Sequence, residues 1–182
     1  MHALTPELDL LERLDDAHLV AVAADHLAAP RAQPADSFVL HAPLELMARA
    51  ELLPLVEPAA RDEARRRIVD LVTEYDAYEP LEPLAAPDRE WRGVDDAVTW
   101  LGGAVTAGDV DGADAAVAWL AGNVTASELV RALADLIVAR TSAAGHGSIY
   151  LWWLPRLTAT YPDAPSMARP LVREIARRPE WE

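Results

Sequence analysis

Thr125-Ala-Ser-Glu128-Leu-Val-Arg-Ala-Leu-Ala-Asp-Leu-Ile137 is the stretch that decides the fold class. Thr125 and Glu128 have the spacing of a capping box, in which each side chain accepts from the other residue's backbone N–H. Behind the box, Leu129, Val130, Leu133, Leu136 and Ile137 recur at a period near 3.6 and fall on one face. The same period extends outward in both directions. Upstream it predicts a helix over Val94–Ala107, weakened by Gly102-Gly103, then a turn over Gly108–Asp111. Asp111 is placed to cap the next helix, which contains Val117, Trp119 and Leu120. Downstream, Ala143–Gly147 breaks the pattern. Ser148 can cap an apolar segment, Ile149–Leu157, that Pro155 interrupts. A last amphipathic helix is expected over about Met167–Arg178, with Arg177 and Arg178 suiting its C-terminus.

The first half reads the same way. Thr5-Pro6 is a helix start, with Glu7 and Asp9 in its first turn. A second helix runs from Ala17 to about Ala29, with Leu19, Val22, Ala23, His26 and Leu27 along one face, and Pro30–Asp36 is a loop. The third is expected over Pro43–Leu53, because the residue before a proline avoids the α region; His41 then lies outside it. Pro58 opens a longer helix with the stripe Ala64, Ile68, Leu71, Val72, Tyr75 and Tyr78. Its other side, Arg61, Asp62, Glu63, Arg65 and Arg66, reads as a solvated face. Pro80, Pro83 and Pro87 make residues 79–93 a connecting segment. Alternating β-branched and aromatic runs are absent. The reading is one all-α domain, a bundle of seven to nine helices, with halves at about 1–78 and 94–182.

An internal echo bears on those halves. Leu19–Asp25 resembles Leu129–Asp135, and His41–Leu46 resembles His146–Leu151. If the echo is a repeat, the halves are pseudo-symmetric and the histidines stand at equivalent helix starts around one cavity. Chance matching of Ala- and Leu-rich helices is the other explanation.

Composition removes whole classes of chemistry. Among 182 residues there are 36 alanines and neither Cys nor Lys. That excludes disulfides, thiolate metal sites, a cysteine nucleophile, Schiff-base chemistry and a phosphate-loop lysine. A net charge of −14 argues against nucleic acid as a partner. No apolar run is long enough to span a membrane, and Met1–Leu10 has no basic leader, so a cytoplasmic protein is expected.

The five histidines are then the groups suited to proton transfer near neutral pH. His2 and His18 read as exposed, and His26 as facing the core or the helix edge. His41 and His146 stand near helix starts, where the partial positive charge disfavours imidazolium. A neutral imidazole there suits a general base or a hydrogen-bond donor. Gly145 and Gly147 flank His146 and would let backbone approach a ligand. His41 and Glu45 have i, i+4 spacing, yet a ferritin-like site would lack ligands, and no metal is assigned. Asp109–Gly112 lacks the spacing of a calcium loop. Tyr150, Trp152 and Trp153 cannot share one helix face, so core packing competes with an aromatic ligand wall.

Phe38-Val-Leu-His41-Ala-Pro-Leu44-Glu-Leu46, Tyr75 with Leu81-Glu-Pro83, and Ala144-Gly-His146-Gly147-Ser-Ile149 together resemble segments of the questin oxidase-like family. The resemblance implies an all-α enzyme that oxidises a polycyclic aromatic polyketide in a Baeyer–Villiger-like ring opening, with NADPH as reductant. It carries His41 and His146 over as pocket residues. The first functional expectation is therefore a small-molecule enzyme, with His41 and His146 catalytic. Its apolar pocket for a small aromatic substrate would be lined by Glu45, Tyr75, Tyr150, Trp152 and Trp153. The second is a non-catalytic helical scaffold, interaction protein or ligand sensor, with an exposed apolar patch or a homodimer interface.

Overall fold

The computed structural model describes residues 13–32, 38–81, 89–138, 145–162 and 164–177. Eight α-helices follow one another there: α1 (Asp16–Ala28), α2 (Phe38–Leu52), α3 (Arg61–Asp76), α4 (Val94–Ala107), α5 (Val110–Asn123), α6 (Ala126–Val138), α7 (His146–Thr160) and α8 (Ala168–Arg177). The architecture is all-α, as the periodicity predicts. Among the described residues the only extended pairing is an isolated antiparallel bridge between Arg31 and Pro80. No described helix is long and apolar enough to cross a membrane. The expected start at Thr5-Pro6, together with His2, Pro83, Pro87 and Arg178, lies outside the described residues.

Local chemistry sets the helix starts. The Thr125 backbone N–H donates to Glu128 Oε2 at 2.8 Å, and the Glu128 N–H donates to Thr125 Oγ1 at 3.3 Å, closing the capping box. Asp15 caps α1 by accepting from the His18 N–H at 2.9 Å. α5 differs from expectation. Asp109, rather than Asp111, caps it by accepting from the Gly112 N–H at 2.9 Å, because the helix begins at Val110.

Two prolines sit inside helices, Pro43 where the sequence reading started a helix and Pro155 where it expected an interruption. α2 begins at Phe38 and runs through Pro43. A proline in a helix interior costs about 3 kcal/mol. Upstream of it, Val39 and Leu40 are buried, and each such side chain returns roughly 1.5–3 kcal/mol. Burial outweighs the lost hydrogen bond, so His41 is helical. α7 likewise starts at His146 instead of after Ser148, and continues through Pro155. Pro58 opens a short 3-10 turn, and α3 starts at Arg61.

The core joins residues of all eight helices. α8 is at its centre, packing on α1, α2, α4, α5 and α7. The last helix, expected as amphipathic over about Met167–Arg178, forms over Ala168–Arg177 and is buried on nearly every side: Arg173 and Glu174 are buried along with Leu171, Val172 and Ile175. Buried charge needs partners. Asp114 of α5 accepts from Arg173 at 3.0 Å and from Arg169 at 2.6 Å, and Glu174 pairs with Arg177. Arg173 also donates to the Ala28 carbonyl at 2.7 Å, satisfying one of the open carbonyls at the buried end of α1.

The expected solvated face of α3 is solvated only in part. Arg61 and Arg65 both pair with Asp16, and Arg65 also donates to the Leu14 carbonyl. The one carboxylate of Asp16, on the packed α1, draws both guanidinium groups inward. At the other end of α3, Asp76 pairs with Arg31, and its Oδ2 lies 2.7 Å from His26 Nδ1. Burial pushes the Asp76 carboxyl up, but His26 and Arg31 together outweigh it and hold it below the usual carboxylate range. A depressed carboxylate stabilises the fold above its unfolded value and loses that contribution as pH falls through the folded one. Asp76→Asn should therefore lower stability at neutral pH, and the difference from the unmodified chain should shrink below about pH 4. Urea unfolding across pH checks this.

Candidate functional site

His41 and His146, 105 residues apart, are brought together with Nε2 atoms 2.8 Å apart and ring centroids 4.8 Å apart. His41 is in the first turn of α2, and His146 is the first residue of α7. The two helices run in parallel, since Tyr150 Oη donates to the Leu40 carbonyl (3.1 Å) and Tyr161 Oη donates to the Ala50 carbonyl (3.2 Å). Two helix N-termini therefore meet at the pair. His41 is exposed and His146 half-buried.

The contact has one chemical requirement. Two ring nitrogens at hydrogen-bond distance share a single proton: one donates N–H and the other offers its lone pair. Two Nε2–H groups cannot face each other there.

The glycines flanking His146 have different jobs. Gly145 precedes the helix with φ 83°, the left-handed region that disfavours side chains. Gly147 was expected to admit a ligand. Instead it is buried against α6, and a Cβ added there would lie 2.5 Å from Ile137 Cγ2. Its missing side chain lets α6 and α7 approach.

The other expected site residues scatter. Tyr150 is buried, burial pushes its phenol well above the ordinary value, and its hydroxyl is committed to Leu40. Tyr75 is buried too, donates to the Ala29 carbonyl at 2.8 Å and is likewise raised by burial. Glu45 pairs with Arg49 one turn on. Trp153 is half-buried against the core. Trp152 is 59% exposed, with the Arg156 guanidinium 3.7 Å above its ring centroid. Among the described residues no group of three or more acids or histidines could hold a metal ion.

A hollow of about 320 Å³ lies elsewhere, along α4. Its lining includes Arg89, Asp96, Trp100, Gly103 and Asp109, and neither His41 nor His146. Trp91 packs edge-on to Trp100 at 6.2 Å and tilted to Trp119 at 6.1 Å. Arg89 stands 4.5 Å from the Trp100 ring and 5.3 Å from Trp91, and pairs with Asp96 at 2.6 Å. The Arg92 N–H holds the Asp96 carboxyl below its usual value against the opposing effect of burial, and Arg89 adds to the lowering. Sequence reading missed this hollow. Its only local signal was Gly102-Gly103 inside a helix already carrying Trp100.

Compared with protein-family models, curated proteins and solved structures, the chain finds no match.

Proposed function

We propose that the chain is a small-molecule enzyme whose proton-transfer centre is the His41–His146 pair, acting on an aromatic substrate with an acidic hydroxyl. The observation that carries the reading is the 2.8 Å Nε2–Nε2 contact between imidazoles from distant segments. With His41 donating Nε2–H to His146, the Nδ1 lone pair of the exposed ring is the base. A phenolic O–H transfers its proton there, leaving a phenolate beside an imidazolium. His146 stabilises that cation by accepting its Nε2–H, as the orienting member of a catalytic triad does. Such general-base assistance is worth about 10²–10⁴ in rate.

A hydroxyanthraquinone reports the test directly, because its absorbance moves to longer wavelength on ionisation. The expected result is a saturable red shift near neutral pH with the unmodified chain. His41→Ala and His146→Ala should each weaken it at least about ten-fold, the factor that one charge-assisted hydrogen bond supplies, with melting temperature unchanged. No shift, or an equal shift in both variants, sinks the reading.

The non-catalytic interaction protein is favoured by a different observation. Ile149 and Trp152, one turn apart on α7, are 45% and 59% exposed. A self-association that Trp152→Glu abolishes, with no ligand shift, would favour it.

A further inference from the structure

We infer that the hollow along α4 is a second binding site, separate from the histidine pair, for an organic monocation with an apolar body. Three observations lead there. The first is its charge. Arg89 carries one positive charge, and Asp96 and Asp109 carry two negative charges. Arg89 is already paired with Asp96. Asp109 gives Oδ1 to the Gly112 N–H and makes no ion pair among the described residues. One carboxylate is thus left to meet a cation.

The second is its walls. An added Cβ on Gly112 would lie 2.3 Å from Asp109 Oδ2 and 3.1 Å from Trp100 Nε1, so the carboxylate and the indole edge are neighbours. The carboxylate attracts an organic cation by charge, and the apolar indole beside it packs against the ligand's body. Arg89 shows the same chemistry from within the chain, its guanidinium between the Asp96 carboxylate and two indole rings. The hollow's size falls in the range of small-molecule sites.

The third is Gly103. A glycine in a helix interior is unfavourable relative to alanine. Gly103 has no positive φ, and an added Cβ would meet nothing within 4 Å. Neither backbone conformation nor close packing requires it. What it does is keep the hollow open on its α4 side.

The probe is 2-phenylethylammonium, with 2-phenylethanol as its neutral counterpart and 3-phenylpropionate as an anion. Titration of the full chain is followed by calorimetry and tryptophan fluorescence. The amine should bind saturably at millimolar concentration or below. The alcohol and the acid should bind at least about ten-fold more weakly, the factor expected for one charge-assisted contact. Asp109→Asn should weaken the amine by a similar factor. Asparagine caps a helix as well as aspartate does, so this variant keeps α5 intact. Gly103→Leu should fill the hollow and abolish binding. No binding by the amine, equal binding by amine and alcohol, or wild-type affinity in Asp109→Asn overturns the inference. His146→Ala should leave the titration unchanged, which separates this site from the proposed proton-transfer centre.

Discussion

Asp114→Ala should cost about 3–5 kcal/mol of stability, the range found when one partner of a buried ion pair is removed. For a chain of this size that is a fall of roughly 6–20 °C in melting temperature. Asp114 and Arg173 are each only 3% exposed, so neither charge can turn to water. Burial pushes the Arg173 guanidinium below its ordinary value, with Asp114 opposing, yet a guanidinium does not shed its proton. Without Asp114, the centre of the core holds a cation whose remaining described acceptor is the Ala28 carbonyl. The loss should come from the orphaned charge more than from the pair's own attraction. Asp114→Leu combined with Arg173→Met should therefore recover much of it. Denaturant unfolding of the single and double variants decides the matter; a single variant losing under 1 kcal/mol would contradict the buried placement.

Gly147→Ala should cost about 1–3 kcal/mol, the usual price of overpacking. The added methyl would meet Ile137 Cγ2 at 2.5 Å, a branched methyl fixed by its own rotamer. Relief requires α7 to move from α6, and His146 is the neighbouring residue. The same change should thus disturb the histidine contact, seen as altered imidazole nitrogen shifts in NMR spectra. Ile137→Ala removes the obstacle, so the double variant should be more stable than the sum of the two single losses predicts. Strict additivity would mean that Gly147 and Ile137 do not touch.

Legibility in the sequence followed the range of the interaction. The Thr125–Glu128 box was readable because all of its parts lie within one helical turn. The bounds of α4 matched because a capping turn and a glycine end it locally. His41 and His146 were singled out by their place in an internal echo, although no local rule says that they touch. Pro43 and Pro155 misled, since a local penalty was weighed without the burial that overrides it. The last helix was legible as a helix but its central place was not, because Asp114, which holds Arg173, lies 59 residues away. Asp96, Trp100 and Gly103 lie on one stretch of helix, but the hollow they line also needs Arg89 and Asp109 from either side of it.

The helix that packs against five others is also the last of the eight to be made. On a ribosome adding roughly 5–20 residues per second, α1 waits about 7–30 seconds for α8 to follow it. Until α8 is made, the inner faces of α1, α2, α4, α5 and α7 lack their common partner as each appears, and Asp114 lacks both of its arginines. The nascent chain therefore presents apolar helix faces to whatever surrounds it until α8 has been made. Its folding yield in the cell should depend on chaperone supply and elongation rate more than its final stability suggests.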